Sequence, residues 1–212
     1  MLEFKTIESA SQGIIIEKKS KFIANIIPVC SKEEAEEKIR ELKKKYQDAR
    51  HNCYAYCVLN DTNKITKSSD DGEPSGTAGI PILKVITENE LCNVLIVVTR
   101  YFGGILLGTG GLLRAYTDSA KEAIKNSNII NLQEGYEIKF EIGYSDLNFM
   151  KYYIEHSYGL IEEIEYLNNI ILKVAVTKNV KEEIIDKNSE IGKKIQKIIE
   201  TKKKFVKKYI DI

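Results

Sequence analysis

Residues 97–116 read Val-Val-Thr-Arg-Tyr-Phe-Gly-Gly-Ile-Leu-Leu-Gly-Thr-Gly-Gly-Leu-Leu-Arg-Ala-Tyr, and this stretch constrains the fold more than any other. An apolar run over residues 93–99 predicts a buried strand. It leads into five glycines within nine residues: Gly103, Gly104, Gly108, Gly110 and Gly111. Glycine is costly to order, so such a cluster implies backbone shapes that side chains would forbid. Leu112, Tyr116, Ala120 and Ala123 then recur at helical spacing and predict a helix over residues 111–126. Bare backbone N–H groups at a helix N-terminus attract anions. Arg100 enters this junction and Arg114 leaves it. The junction is therefore expected either to hold a negatively charged group or to let another backbone approach closely.

Two common phosphate loops are excluded. No Lys-Ser or Lys-Thr follows Gly108, as a Walker loop requires. Gly108-Thr-Gly110-Gly111 also lacks the spacing of a dinucleotide fingerprint, and no acid stands about twenty residues further on at a strand end. The arginines favour the anion reading. Only four of the 32 basic residues are arginine: Arg40, Arg50, Arg100 and Arg114. Against a lysine background, arginine beside an unusual motif suggests planar, bidentate hydrogen bonding, with chance placement as the alternative.

The rest of the chain predicts an α+β protein of two domains, residues 1–130 and 135–212, divided in the polar, turn-rich segment 126–134. Strands are expected over residues 5–18, 21–29 and 52–59, and a helix after the Ser31/Glu34 capping box, with Ala35, Ile39, Leu42 and Tyr46 on one face. Residues 60–76 read as a polar loop and residues 77–91 as a helix with Pro81 in its first turn. The second domain reads as βαββαβ. Its elements are a strand over 136–144, a helix capped by Ser145 and closed at Gly159, a hairpin across Asn168-Asn169, a helix over 180–187 and a strand over 197–207. The last segment fits a helix about as well as a strand.

Several residue types carry chemistry, each with a plainer reading. Asp70, Asp71 and Glu73 gather three carboxylates on one loop; they could hold a magnesium ion, or they could be ordinary turn residues beside Gly72 and Pro74. His51 opens a strand where it could meet the glycine junction, or it could be structural. Cys53 and Cys57 share its face of the strand and read as small core residues, too far apart on an extended chain to clasp one zinc ion. The run 193–208 carries eight lysines and one glutamate, which fits either a phosphate-tracking face or a solvated surface. No nucleophilic triad is evident.

Composition bounds the rest. The net charge of +1 gives no global reason to seek nucleic acid. Apolar runs such as 94–98 are far too short to cross a bilayer, and the opening Met-Leu-Glu-Phe-Lys has an early acid and no apolar core, so neither membrane insertion nor export is expected. Four cysteines suit reduced thiols in a cytoplasmic protein.

Three motifs together carry a family resemblance: His51-Asn-Cys-Tyr-Ala-Tyr, Asp70-Asp-Gly-Glu-Pro-Ser-Gly-Thr-Ala-Gly-Ile-Pro-Ile-Leu, and the glycine junction itself. They closely resemble the IMPACT family in its bacterial YigZ-type branch, with residues 1–130 matching throughout and the remainder matching in length and element order. The resemblance implies a first domain similar to the second domain of a small-subunit ribosomal protein and to domain IV of elongation factor G, and a ferredoxin-like second domain. Eukaryotic relatives bind the activator of a translation-initiation-factor kinase, partly through an additional domain, so that partner is not carried over to this chain.

The expected function is that of a non-enzymatic regulator, with no cofactor, that binds RNA, the ribosome or a translation-associated protein. Arg50, His51, Arg100, Gly103, Gly104, Gly108, Gly110, Gly111 and Arg114 would contact phosphate or an acidic partner surface. The alternative is a metal-assisted enzyme acting on a small phosphorylated or nucleotide ligand, with magnesium on Asp70, Asp71 and Glu73 and with His51 as acid or base. A third reading is a protein-interaction module whose odd loop is only structural. Arg114, placed in the first turn of the helix, is expected to face either one of those carboxylates or an external phosphate.

Overall fold

The computed structural model describes residues 2–60 and 63–208. They form an α+β protein of two compact units, one of residues 4–130 and one of residues 131–212 with residues 1–3.

In the first unit, β1 (Glu3–Ile7) is followed by β2 (Ser11–Glu17), β3 (Ser20–Pro28), α1 (Lys32–Lys45), β4 (His51–Asn60), β5 (Asn63–Ser69), α2 (Gly79–Glu88), β6 (Val94–Tyr101) and α3 (Gly108–Lys125). The sheet runs β2-β3-β6-β4-β5 with every neighbour antiparallel. Side-chain alternation divides it into two faces. On one, Tyr56, Val58, Leu95 and Val97 pack under Ala35, Ile39 and Leu42 of α1. That helix starts as a capping box: Ser31 Oγ accepts from the Glu34 N–H (3.1 Å), and the Glu34 carboxylate reaches back to the Cys30 N–H (2.7 Å). The opposite face lies under α2, over β4 and β5, and α3, over β2 and β3. Full burial of Phe22, Ala24, Cys53, Ala55, Ile96 and Val98 on this face makes it the larger part of the core.

The second unit contains β7 (Ile129–Ile142), α4 (Leu147–His156), β8 (Leu160–Tyr166), β9 (Ile170–Thr177), α5 (Lys178–Ile185) and β10 (Ile195–Lys207). Its strands lie in the order β10-β7-β9-β8, antiparallel throughout, which is the ferredoxin-like arrangement. Phe140, Leu172 and Val174 meet Met150, Ile154 and Ile184 beneath the two helices.

Several expected elements differ from this. The first expected strand is two strands, β1 and β2, interrupted at residues 8–10. The expected loop 60–76 contains β5, an edge strand in which only Ile65 is a half-buried aliphatic residue, so it lacks the apolar alternation that marks a strand; residues 61–62 of that expected loop lie outside the described residues. The polar segment 126–134 is largely the start of β7, since Ile129 already belongs to that strand. Ser145 sits in a 3-10 turn and does not cap α4. The left-handed residue ending α4 is Tyr158 (φ 55°), and Gly159 follows it, donating to the Ile154 carbonyl at 2.8 Å. The ambiguous C-terminal segment is the strand β10.

Candidate functional site

Register builds the site. Arg100 is the penultimate residue of β6, and its cross-strand partners are His51 on β4 and Phe22 on β3. All three therefore share the face under α3. From β5 the chain turns sharply, with Asp71 (φ 44°) and Gly72 (φ 86°) both left-handed and the Glu73 N–H donating to the Asp70 carbonyl at 2.9 Å. The turn drives Glu73 inward. Its Oε1 accepts from Arg100 Nη1 at 2.6 Å and from the Tyr116 hydroxyl of α3 at 2.9 Å. The side chains of Arg100 and Glu73 are 8% and 3% exposed, so this ion pair is buried. The guanidinium carbon lies 5.5 Å from the ring centroids of both Phe22 and Phe102, and Phe22 meets Tyr116 edge-to-face at 5.2 Å.

The two aspartates have different work. Asp70 accepts from the backbone N–H groups of Gly76 (2.9 Å), Ala78 (3.0 Å) and Gly79 (2.8 Å), so it holds the start of α2. Burial alone would raise its pKa, but these three bonds outweigh burial and hold the carboxyl below its ordinary value. Asp71 accepts from Lys43 at 2.5 Å and from the Asn52 N–H at 2.7 Å. With Glu73 bound to Arg100, the three carboxylates point to three different partners and do not converge as a magnesium ligand set. Among the described residues no three His, Cys, Asp or Glu side chains do so. His51 Nδ1 lies 2.9 Å from the Asp71 carbonyl, which can only accept, so Nδ1 carries the proton and Nε2 is left as an acceptor in the neutral ring. Cys53 lies 3.3 Å from the Tyr116 hydroxyl, and burial pushes its thiol up to about 12, which keeps it protonated and unreactive at neutral pH.

The glycines serve distinct purposes. A Cβ on Gly103 would stand 2.1 Å from the Lys19 carbonyl carbon, so this glycine admits the β2–β3 turn against the loop. Gly108, the first residue of α3, has φ 69° with open space around it, so its requirement is conformational. Gly104 lies in the loop and Gly110 and Gly111 in the first turn of the helix. The helix begins three residues earlier than residue 111, so Arg114 lies in its second turn, not its first. Arg114 is exposed and has no partner among the described residues, so the internal pair expected for it is not formed.

Between the turn, the end of β6 and the start of α3 lies a cavity of about 400 Å³. It brings together Arg50, His51, Arg100 and Gly108, but not Gly103, Gly104, Gly110, Gly111 or Arg114. Pro74, Phe102, Leu106, Leu107, Thr109 and Leu112 complete the lining with Gly72 and Glu73. The apolar part was not singled out from sequence, although Phe102 and Leu106 stand inside the glycine junction. Glu73 is the one carboxylate lining the cavity, and Arg100 already neutralises it. Arg50 is exposed and without a partner among the described residues. No side chain caps the N-terminus of α3, and its first turn holds no acid.

In the second unit at least four of the eight lysines in the run are held in ion pairs. Lys194 pairs with Asp146, Lys202 with Glu200, Lys204 with Glu137 and Glu162, and Lys208 with Glu3.

Residues 18–124 match the Impact N-terminal domain model. IMPACT family member YvyE of Bacillus subtilis is 39% identical over 165 residues, covering 78% of this chain and 76% of that one. The chain belongs to the IMPACT family. Another member, YigZ of Escherichia coli, is 32% identical over 75% of this chain and 78% of its own. A crystal structure of a hypothetical protein, 28% identical, shares the fold of the family member described here with a TM-score of 0.65 over 92% of this chain and 96% of that one. The matched region 18–124 contains every residue of the cavity, so the site lies in the part that defines the family.

Proposed function

We propose that this protein is a non-enzymatic regulator of translation that binds a translation component through an exposed phosphate of its RNA. The observation that carries the reading is the charge balance of the cavity. Its only carboxylate is spent on Arg100, which leaves Arg50 and the open N-terminus of α3 as uncompensated positive charge. A regulatory role, not a catalytic one, is supported by the commitments of the reactive groups. Cys53 is held protonated, and the three carboxylates have separate partners. The uncompensated positive charge at the cavity favours the first unit as the contact surface, since four of the C-terminal lysines are already held in ion pairs.

Cosedimentation of the purified chain with ribosomes and with ribosomal RNA, across a salt series, tests this. Association should be present at low salt and fall steeply as salt rises, because phosphate contacts release counterions. Absence of association at low salt overturns the reading.

A further inference from the structure

The cavity is more than a phosphate cradle. Its rim on the β6–α3 loop carries Phe102, 46% exposed, and Leu106, 83% exposed, and both border the cavity. An inorganic anion has no use for such a surface, since apolar side chains around a bare phosphate only remove water from it. A ligand with a flat apolar body and a negative end does. The Phe102 ring is held by the Arg100 guanidinium at 5.5 Å, and Arg100 is itself buried against Phe22, so the ring is a supported platform and not a loose side chain. Two polar groups remain for such a ligand: Arg50, which lines the cavity, is exposed and has no partner among the described residues, and His51 Nε2 is an acceptor in the neutral ring. The N-terminus of α3 beside them carries no side-chain cap.

We propose that this cavity is a nucleotide pocket. It takes one unpaired nucleotide, with the base against Phe102 and Leu106 and the phosphate at Arg50 and the N-terminus of α3. The inference rests on the cavity being phosphate-binding, as above, and adds the base. Base-on-aromatic stacking is tolerant of sequence, so the pocket is indifferent between the four bases to first order. The same chemistry is offered by a free nucleoside monophosphate and by an unpaired residue of an RNA strand.

The full-length chain is titrated with inorganic phosphate, adenosine and uridine monophosphates, and a single-stranded RNA hexamer, with binding followed by calorimetry. Both monophosphates should bind at least tenfold more tightly than inorganic phosphate, and the hexamer more tightly still. Phe102→Ala should weaken nucleotide and hexamer alike by about tenfold, the loss expected of one stacked base, while Phe102→Tyr keeps the affinity. Phe102 is half-exposed, so circular dichroism should show both variants folded. Equal affinity for phosphate and monophosphate, or no change in Phe102→Ala, overturns the nucleotide pocket even if ribosome association persists. Binding of monophosphates without any RNA or ribosome association keeps the pocket and overturns the translation reading instead. Competition for the cavity by an acidic peptide but by no nucleotide overturns it in favour of a protein partner.

Discussion

Replacing Glu73 with alanine should destabilise the first unit by about 3–5 kcal/mol, the range for removing one partner of a buried ion pair. The structure places this substitution within that range. Arg100 is 8% exposed at its side chain, and Glu73 Oε1 is its one carboxylate partner, 2.6 Å away. The same oxygen accepts from Tyr116, so the variant also strands a buried hydroxyl, a cost of about 1–3 kcal/mol where no water replaces the acceptor. These costs overlap, since both groups share one oxygen, and their sum is an upper bound. Urea unfolding followed by far-ultraviolet circular dichroism measures the change. The double variant Glu73→Ala with Arg100→Met removes the stranded charge and should recover a substantial part of the loss. A single-variant cost below about 1 kcal/mol, or a double variant as unstable as the sum of the two singles, would refute the claim that this pair holds the turn against the sheet.

Acid should weaken the α2 cap. Asp70 has a folded pKa below its unfolded one, so its contribution is present above the unfolded value near 4 and is lost as pH falls through the folded value; Asp70→Asn should flatten stability against pH in that window and cost about 1 kcal/mol at pH 7, read from urea midpoints at several pH values. Gly103→Ala should be far more damaging than Gly108→Ala, because its Cβ would overlap the Lys19 backbone at 2.1 Å whereas Gly108 has open space and a strained φ worth about 1–2 kcal/mol; thermal melts of the two variants compare them directly. Arg50→Ala should leave the melting temperature unchanged and lower the salt slope of RNA binding by about 0.7, the value for one phosphate contact to a single strand. Arg114→Ala should change neither stability nor binding, since the residue is exposed and outside the cavity; loss of RNA binding in that variant would show that the contact surface extends along α3.

Local order was legible in the sequence wherever short-range chemistry decides it. The capping box that starts α1, the alternating faces of β4, the strand entering the glycine junction and the βαββαβ order of the second unit all follow from side-chain periodicity and from residues a few positions apart. The edge strand β5 was not legible, because a solvated strand has no apolar face to repeat and is defined by its ladder with β4. The site shows the same division. Sequence marked Arg50, His51, Arg100 and Gly108 as candidates, and those four line the cavity. It could not show that Glu73 would serve Arg100 and not a metal, because that depends on two left-handed residues turning the chain back and on cross-strand register placing Arg100 beside His51. Nor could it separate Arg50 from Arg114. Both are exposed arginines beside the singled-out motifs, but Arg50 reaches the cavity because it precedes β4, where His51 pairs with Arg100, whereas the start of α3 at Gly108 carries Arg114 past the cavity, since each residue advances a helix by about 100° and 1.5 Å.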